Sequence, residues 1–195
     1  MKARTKMLFV MVSFVAMCLT TACGMPESSN LQGNANPDTI GQNQLALSKT
    51  WTKGLTVGDC ITINIKVKKW KKCAELTFNA FFKIDNVQFN SEGLPYQARL
   101  TLGLNSPTST SASFTIRPYD SEKEFRKTFK FTVSGIEASV TVGFKFKNMG
   151  GNEYFTTIIP HGILGASIKK QFCVKKFGIK KCDSVNTSKN TDFPL

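Results

Sequence analysis

The sequence predicts an all-β fold, an antiparallel β-sandwich or barrel of about eight to nine strands, and three observations predict it. Apolar residues recur at every second position through much of the chain beyond Trp51, turn residues punctuate these runs, and helical periodicity is nearly absent. Strands that follow one another without intervening helices close against each other as antiparallel neighbours.

The elements follow in order. Ile61, Ile63, Ile65 and Val67 alternate with Thr62, Asn64, Lys66 and Lys68, the pattern of a half-buried strand. Ala74, Leu76, Phe78, Ala80, Phe82 and Ile84 form a second apolar face. Its phase slips at Asp85-Asn86, and Val87 and Phe89 continue it on the other parity, as a β-bulge or sharp bend would produce. Leu100, Leu102 and Leu104 mark another strand, and Phe114 and Ile116 a further one. Ser121 and Glu124 have capping-box spacing, which predicts one short helical turn over residues 121–127. Phe129, Phe131 and Val133 lead into a Ser134-Gly135 turn. Beyond it Ile136, Ala138, Val140, Val142, Phe144 and Phe146 form the longest run, with Lys145 and Lys147 outward. Gly150-Gly151 reads as a turn, and so does Ile159-Pro160-His161-Gly162. Phenylalanine, with 16 in the chain, supplies much of the core; an apolar ligand cavity in a barrel is the alternative use.

Lys2, Arg4 and Lys6 precede an apolar stretch from Met7 to Leu19. A membrane span needs roughly 20 apolar residues, so this shorter stretch, ending in small and polar residues, reads as a cleaved signal over residues 1–22. The string Leu19-Thr20-Thr21-Ala22-Cys23 resembles a bacterial lipobox, with its Leu one place further upstream than the usual pattern. The resemblance covers only the first 24 residues and implies a lipid on Cys23; the alternative is a secretory signal cut after Ala22. Gly24 in place of Asp is similar to lipoproteins sorted to an outer membrane. The expected location is therefore the bacterial cell envelope, lipid-anchored at the outer membrane, with a secreted or periplasmic protein as the alternative. Residues 23–50 contain the lipidated cysteine and a tether rich in Asn, Gln, Gly, Ser and Pro, and residues 51–195 form a single β-domain.

Cysteine counting agrees with export. Of six cysteines, Cys18 leaves with the signal and Cys23 takes the lipid, so Cys60, Cys73, Cys173 and Cys182 remain for two disulfides in an oxidising compartment. The segment Val67-Lys68-Lys69-Trp70-Lys71-Lys72-Cys73 echoes Val174-Lys175-Lys176-Phe177-Gly178-Ile179-Lys180-Lys181-Cys182. A two-residue turn on Phe177-Gly178 sets Cys173 directly opposite Cys182, within disulfide reach. Cys60 then joins Cys73 by elimination. A turn at Lys68-Lys69, which pairs Ile61 with Leu76 and Ile63 with Ala74, leaves those two cysteines out of register. A wider loop or crossed pairing stays open, since four cysteines allow three connectivities.

Removing the three signal charges leaves 23 Lys and Arg against 13 Asp and Glu, a net of +10. Nine lysines crowd residues 66–72 and 175–181, stretches that hold no acid. The candidate anion-binding residues are Lys66, Lys68, Lys69, Trp70, Lys71, Lys72, Lys175, Lys176, Phe177, Lys180 and Lys181. An anionic lipid, lipopolysaccharide or an acidic polymer suits such a field, whereas nucleic acid is a poor match to the compartment. The competing explanation is that the lysines keep edge strands soluble.

No catalytic residue, cofactor or metal site is expected. His161 is the single histidine, the cysteine spacings are not those of zinc ligands, and no nucleophile elbow or phosphate loop is present. The reading is a non-enzymatic binding lipoprotein. Its alternative is a structural or assembly subunit of an envelope complex; an inhibitor and a carrier of an apolar molecule are further options.

Overall fold

The computed structural model describes residues 43–44 and 48–195. The expected signal, Cys23 and most of the expected tether lie outside the described residues. Strand β1 (Asn43–Gln44) is two residues long and pairs with Thr157 and Ile158. The long strands are β2 (Lys49–Ile65), β3 (Lys68–Phe89), β4 (Pro95–Ser106), β5 (Thr110–Ile116), β6 (Phe125–Val133), β7 (Ile136–Asn148), β8 (Thr157–Lys176) and β9 (Ile179–Pro194). Both β1 and the start of β2 fall within residues 23–50, so ordered strand structure begins inside the stretch assigned to the tether.

Two antiparallel meanders follow one another: β2-β3-β4-β5 forms one sheet and β6-β7-β8-β9 the other, with β1 beside β8. The edges β2 and β9 run close together and β5 touches β6, yet no ladder joins either pair among the described residues. The molecule is therefore a sandwich of eight long strands and not a closed barrel.

Each sheet turns one parity inward, and the interior is aromatic. Phe78, Phe82, Phe144, Phe146 and Phe155 are completely or almost completely buried. Rings from opposite sheets meet edge-on, Phe78 with Phe131 at 6.2 Å and Phe82 with Phe193 at 5.8 Å between centroids. This geometry sets the positive ring edge against the negative face. On the outward face Phe81 covers Gly103, where a Cβ would lie 2.4 Å from the ring.

The phase slip at Asp85-Asn86 is a bulge: Asn86 has φ of 50°, and the β3–β4 register shifts between Asp85 and Gln88. Beside it the Asp85 carboxylate, 11% exposed, accepts from Arg99 Nε at 2.7 Å and lies 2.7 Å from Lys83 Nζ. The Arg99 and Lys83 hydrogen bonds outweigh burial and hold the Asp85 pKa down at about 2.

Three expectations are corrected. The helical turn over residues 121–127 is absent: a 3-10 turn forms earlier, at Pro118–Asp120, and Phe125 already begins β6. The Ser121 hydroxyl does not cap a helix but accepts the backbone N–H of Asn148, so a tertiary partner overrides the local motif. Ile159-Pro160-His161-Gly162 is not a turn but part of β8, laddered to β7. Proline is tolerated there because its carbonyl, which accepts from the Leu195 N–H, and its ring nitrogen face the same side, just past the end of β9. The first hairpin also turns earlier than Lys68-Lys69. Lys66-Val67 forms the apex and Ile65 pairs with Lys68, which brings Cys60 opposite Cys73.

Candidate functional site: a lysine-rich double hairpin

The two hairpins that carry the lysines outrun the sandwich. Strand β4 leaves β3 at Asn79, and β7 leaves β8 at Lys169. Beyond these points β2–β3 and β8–β9 continue as two-stranded ribbons. An isolated ribbon of this kind is marginal in water, and here three devices hold the pair.

The first is a small core of its own. Ile63, Ile65 and Val174 are buried together, with Ile61, Trp70 and Phe172 packed around them, and Ile61 and Phe172 also touch the main core. Trp70 stands opposite Ile63 on the inward face and is half-buried. The second device is covalent: Cys60–Cys73 and Cys173–Cys182 each tie directly opposed residues, with Cα atoms 4.0 Å apart in both. The third joins the apices. The ring of Phe177 lies 5.3 Å from Lys66 Nζ and 5.9 Å from Lys68 Nζ, so one hairpin's aromatic sits against the other's ammonium groups.

The nine lysines are all exposed and surround this projection. Lys69, Lys71, Lys175 and Lys180 share the outward faces with the disulfides, while Lys68, Lys72, Lys176 and Lys181 occupy the other parity. None of the nine forms an ion pair among the described residues. Lys175 stands directly across from Lys180, a like-charge pairing that weakens a hairpin. The nearest acids along the chain, Asp59, Glu75 and Asp183, lie just below the disulfides.

The apices are also apolar. Val67 is 94% exposed, Phe177 56% and Ile179 44%. Val67, read from the sequence as part of a buried strand face, is thus the most exposed large apolar side chain among the described residues. A turn at Lys66-Val67, which the Cys60–Cys73 register requires, was the signal that places it at the tip.

His161 stands at the other end of the molecule, on β8 between Lys145 and Pro194. Its Nδ1 lies 2.6 Å from Asp192 Oδ1, but without hydrogen-bond geometry. Strand β1 lies at that same end, since it pairs with Thr157 and Ile158. Strand β2 runs from there to the tip, 17 residues or about 55 Å at ~3.3 Å per residue.

Comparison with protein-family models, with curated proteins and with solved structures finds no match to this chain.

Proposed function

We propose that this is a non-enzymatic binding lipoprotein of the bacterial cell envelope whose double hairpin engages an anionic surface or polymer. The observation that carries the reading is the convergence of nine exposed, acid-free lysines from segments a hundred residues apart on one braced projection. Like charges gathered this way repel, and a polyanion relieves that repulsion where a purely solubilising role would be served by lysines spread along the edges. Near an anionic membrane each such charge contributes about 1 kcal/mol. The lipid on Cys23 would hold the domain at the membrane, and the tether would let the tip search for its target.

The test is co-sedimentation of the oxidised chain beginning at Gly24, which has the whole β-domain and no lipid. The probes are zwitterionic, anionic and lipopolysaccharide-containing vesicles over a salt series. The expected result is binding to the two anionic kinds, lost on adding salt and lost when Lys69, Lys71, Lys175 and Lys180 become Glu. Absence of binding at low salt overturns the reading and favours a protein partner in an envelope assembly.

A further inference from the structure

We infer that the double hairpin is a membrane-penetrating tip: its lysines meet anionic headgroups while Val67, Phe177 and Ile179 enter the interface between headgroups and hydrocarbon. The inference rests on the anionic-surface reading and narrows its target to a lipid bilayer.

Charge alone does not separate a bilayer from a soluble polyanion, because both satisfy lysines. The apices do. A polymer presents charge and polar groups to a binding site, and an apolar residue at the foremost point gains little from it. A bilayer offers a layer into which such a residue transfers favourably. The three apolar residues stand at one extremity, ringed by Lys66, Lys68, Lys176 and Lys180. This is the arrangement of an interfacial anchor, with apolar groups foremost and cations held at headgroup level.

The backbone at the apices makes the same point independently. Two-residue hairpin turns favour Gly, Asn or Asp where φ is positive. Here Lys66 has φ of 53° and Phe177 φ of 52°. The Ser134-Gly135 turn of the same molecule uses small residues for the same task, at φ of 51° and 71°. A bulky aromatic in the left-handed region is a strained choice. Strain of this kind is kept where the side chain serves a purpose at that point. Phe177 does contact Lys66 and Lys68, yet more than half of it stays in solvent. Bracing therefore accounts for only part of its surface.

The two disulfides fit a penetrating tip as well. A ribbon that frayed on leaving water would expose unpaired backbone groups to an apolar layer. Covalent ties at Cys60–Cys73 and Cys173–Cys182 keep both ladders closed up to the apices.

The experiment compares two probes, vesicles of mixed phosphatidylglycerol and phosphatidylcholine and the soluble polyanion dextran sulfate. Each is titrated with the oxidised chain from Gly24 onward, with the Val67→Ser single variant, with the Val67→Ser/Phe177→Ser/Ile179→Ser variant, and with the four-lysine charge reversal. The expected result is that the triple variant loses at least about tenfold in vesicle affinity while keeping its affinity for dextran sulfate within about twofold. The single variant, which removes a side chain that is almost wholly exposed and so leaves the fold alone, moves in the same direction by less. A fluorophore attached at a Val67→Cys position should shift to the blue on vesicles and stay unchanged on dextran sulfate. Equal vesicle binding by the wild-type and triple variants, both abolished by charge reversal, overturns penetration and leaves the anionic-surface reading standing. Binding to dextran sulfate with none to vesicles overturns it in favour of an acidic polymer. Binding to neither overturns both readings.

Discussion

Lys66 and Phe177 lie at the apices of two different hairpins, and the Lys66 ammonium sits 5.3 Å from the centre of the Phe177 ring. This contact joins chain segments more than a hundred residues apart and converts two separate basic turns into one surface. An exposed cation–π pair is worth about 0.5–1 kcal/mol, enough to bias how the apices sit but not to hold the ribbons together. A double-mutant cycle with Lys66→Met and Phe177→Leu should return a coupling of about that size, read from urea midpoints. A coupling indistinguishable from zero would show that the apices meet without attraction.

The disulfides should matter most where the ladder is two strands wide. They close loops with sequence separations of 13 and 9 residues, for which loop-closure entropy gives about 3 kcal/mol each. Reduction is expected to speed amide exchange in residues 61–72 and 172–181 while Leu102, Val140 and Leu164, deep in the sandwich, keep their protection. Hydrogen exchange with and without reductant measures this. Uniform loss of protection would mean that the projection and the sandwich unfold as one unit.

Asp85 should confer a pH dependence on stability in acid. Its pKa is lowered from 3.8 to about 2 by the hydrogen bonds from Arg99 and Lys83. A depressed carboxylate contributes stability that is fully present above the unfolded value and is lost as pH falls through the folded one. The wild-type advantage over Asp85→Asn, about 1–2 kcal/mol near neutrality, should therefore shrink between about pH 4 and pH 2. Paired urea titrations of the two proteins across that window check the sign. An advantage that grew with acidity would exclude this carboxylate as its source.

Gly103 should not tolerate a side chain. A Cβ there would meet the Phe81 ring at 2.4 Å and the Thr110 carbonyl oxygen at 2.5 Å, and the backbone oxygen has no rotamer by which to withdraw. Gly103→Ala is expected to cost about 1–3 kcal/mol, with Phe81 displaced from the sheet. Thermal melting of this variant beside Gly93→Ala tests the claim, because Gly93 has open space around it but a φ of 76°. The Gly93 substitution should thus cost conformational strain alone, about 1 kcal/mol.

Much of the sandwich was legible from alternation. The apolar faces of β3, β4 and β7 and the bulge at Asp85-Asn86 follow from side chains that point to opposite sides of a strand. Strands β8 and β9 were not legible in the same way. In β8 the outward parity carries Ile159 and Ile163 beside the inward Ile158 and Leu164, so no clean alternation survives. In β9 only Val185 and Phe193 are buried among largely polar neighbours, because this edge strand needs few apolar residues. The two echoing lysine segments were visible as sequence. Their meeting was not, since nothing in either segment encodes the position of the other.

The first hairpin shows where local information ends. Turns at Lys68-Lys69 and at Lys66-Val67 differ by four residues in cross-strand register, an even shift, so both keep Ile61, Ile63, Ala74 and Leu76 on one face. Alternation and β-propensity cannot distinguish them. The second ribbon distinguishes them, by burying Ile63 and Ile65 against Val174, and the Cys60–Cys73 bond locks the result. By itself, then, the sequence determined the all-β class, the inward parity of most strands and the basic character of two turns, because each is a local pattern of polarity. The tertiary structure alone decided the sandwich over the barrel, the register of the first hairpin, and the assembly of the lysines with Val67, Phe177 and Ile179 at one extremity. Those outcomes depend on which faces pack together across long stretches of chain, and only the assembled core fixes that.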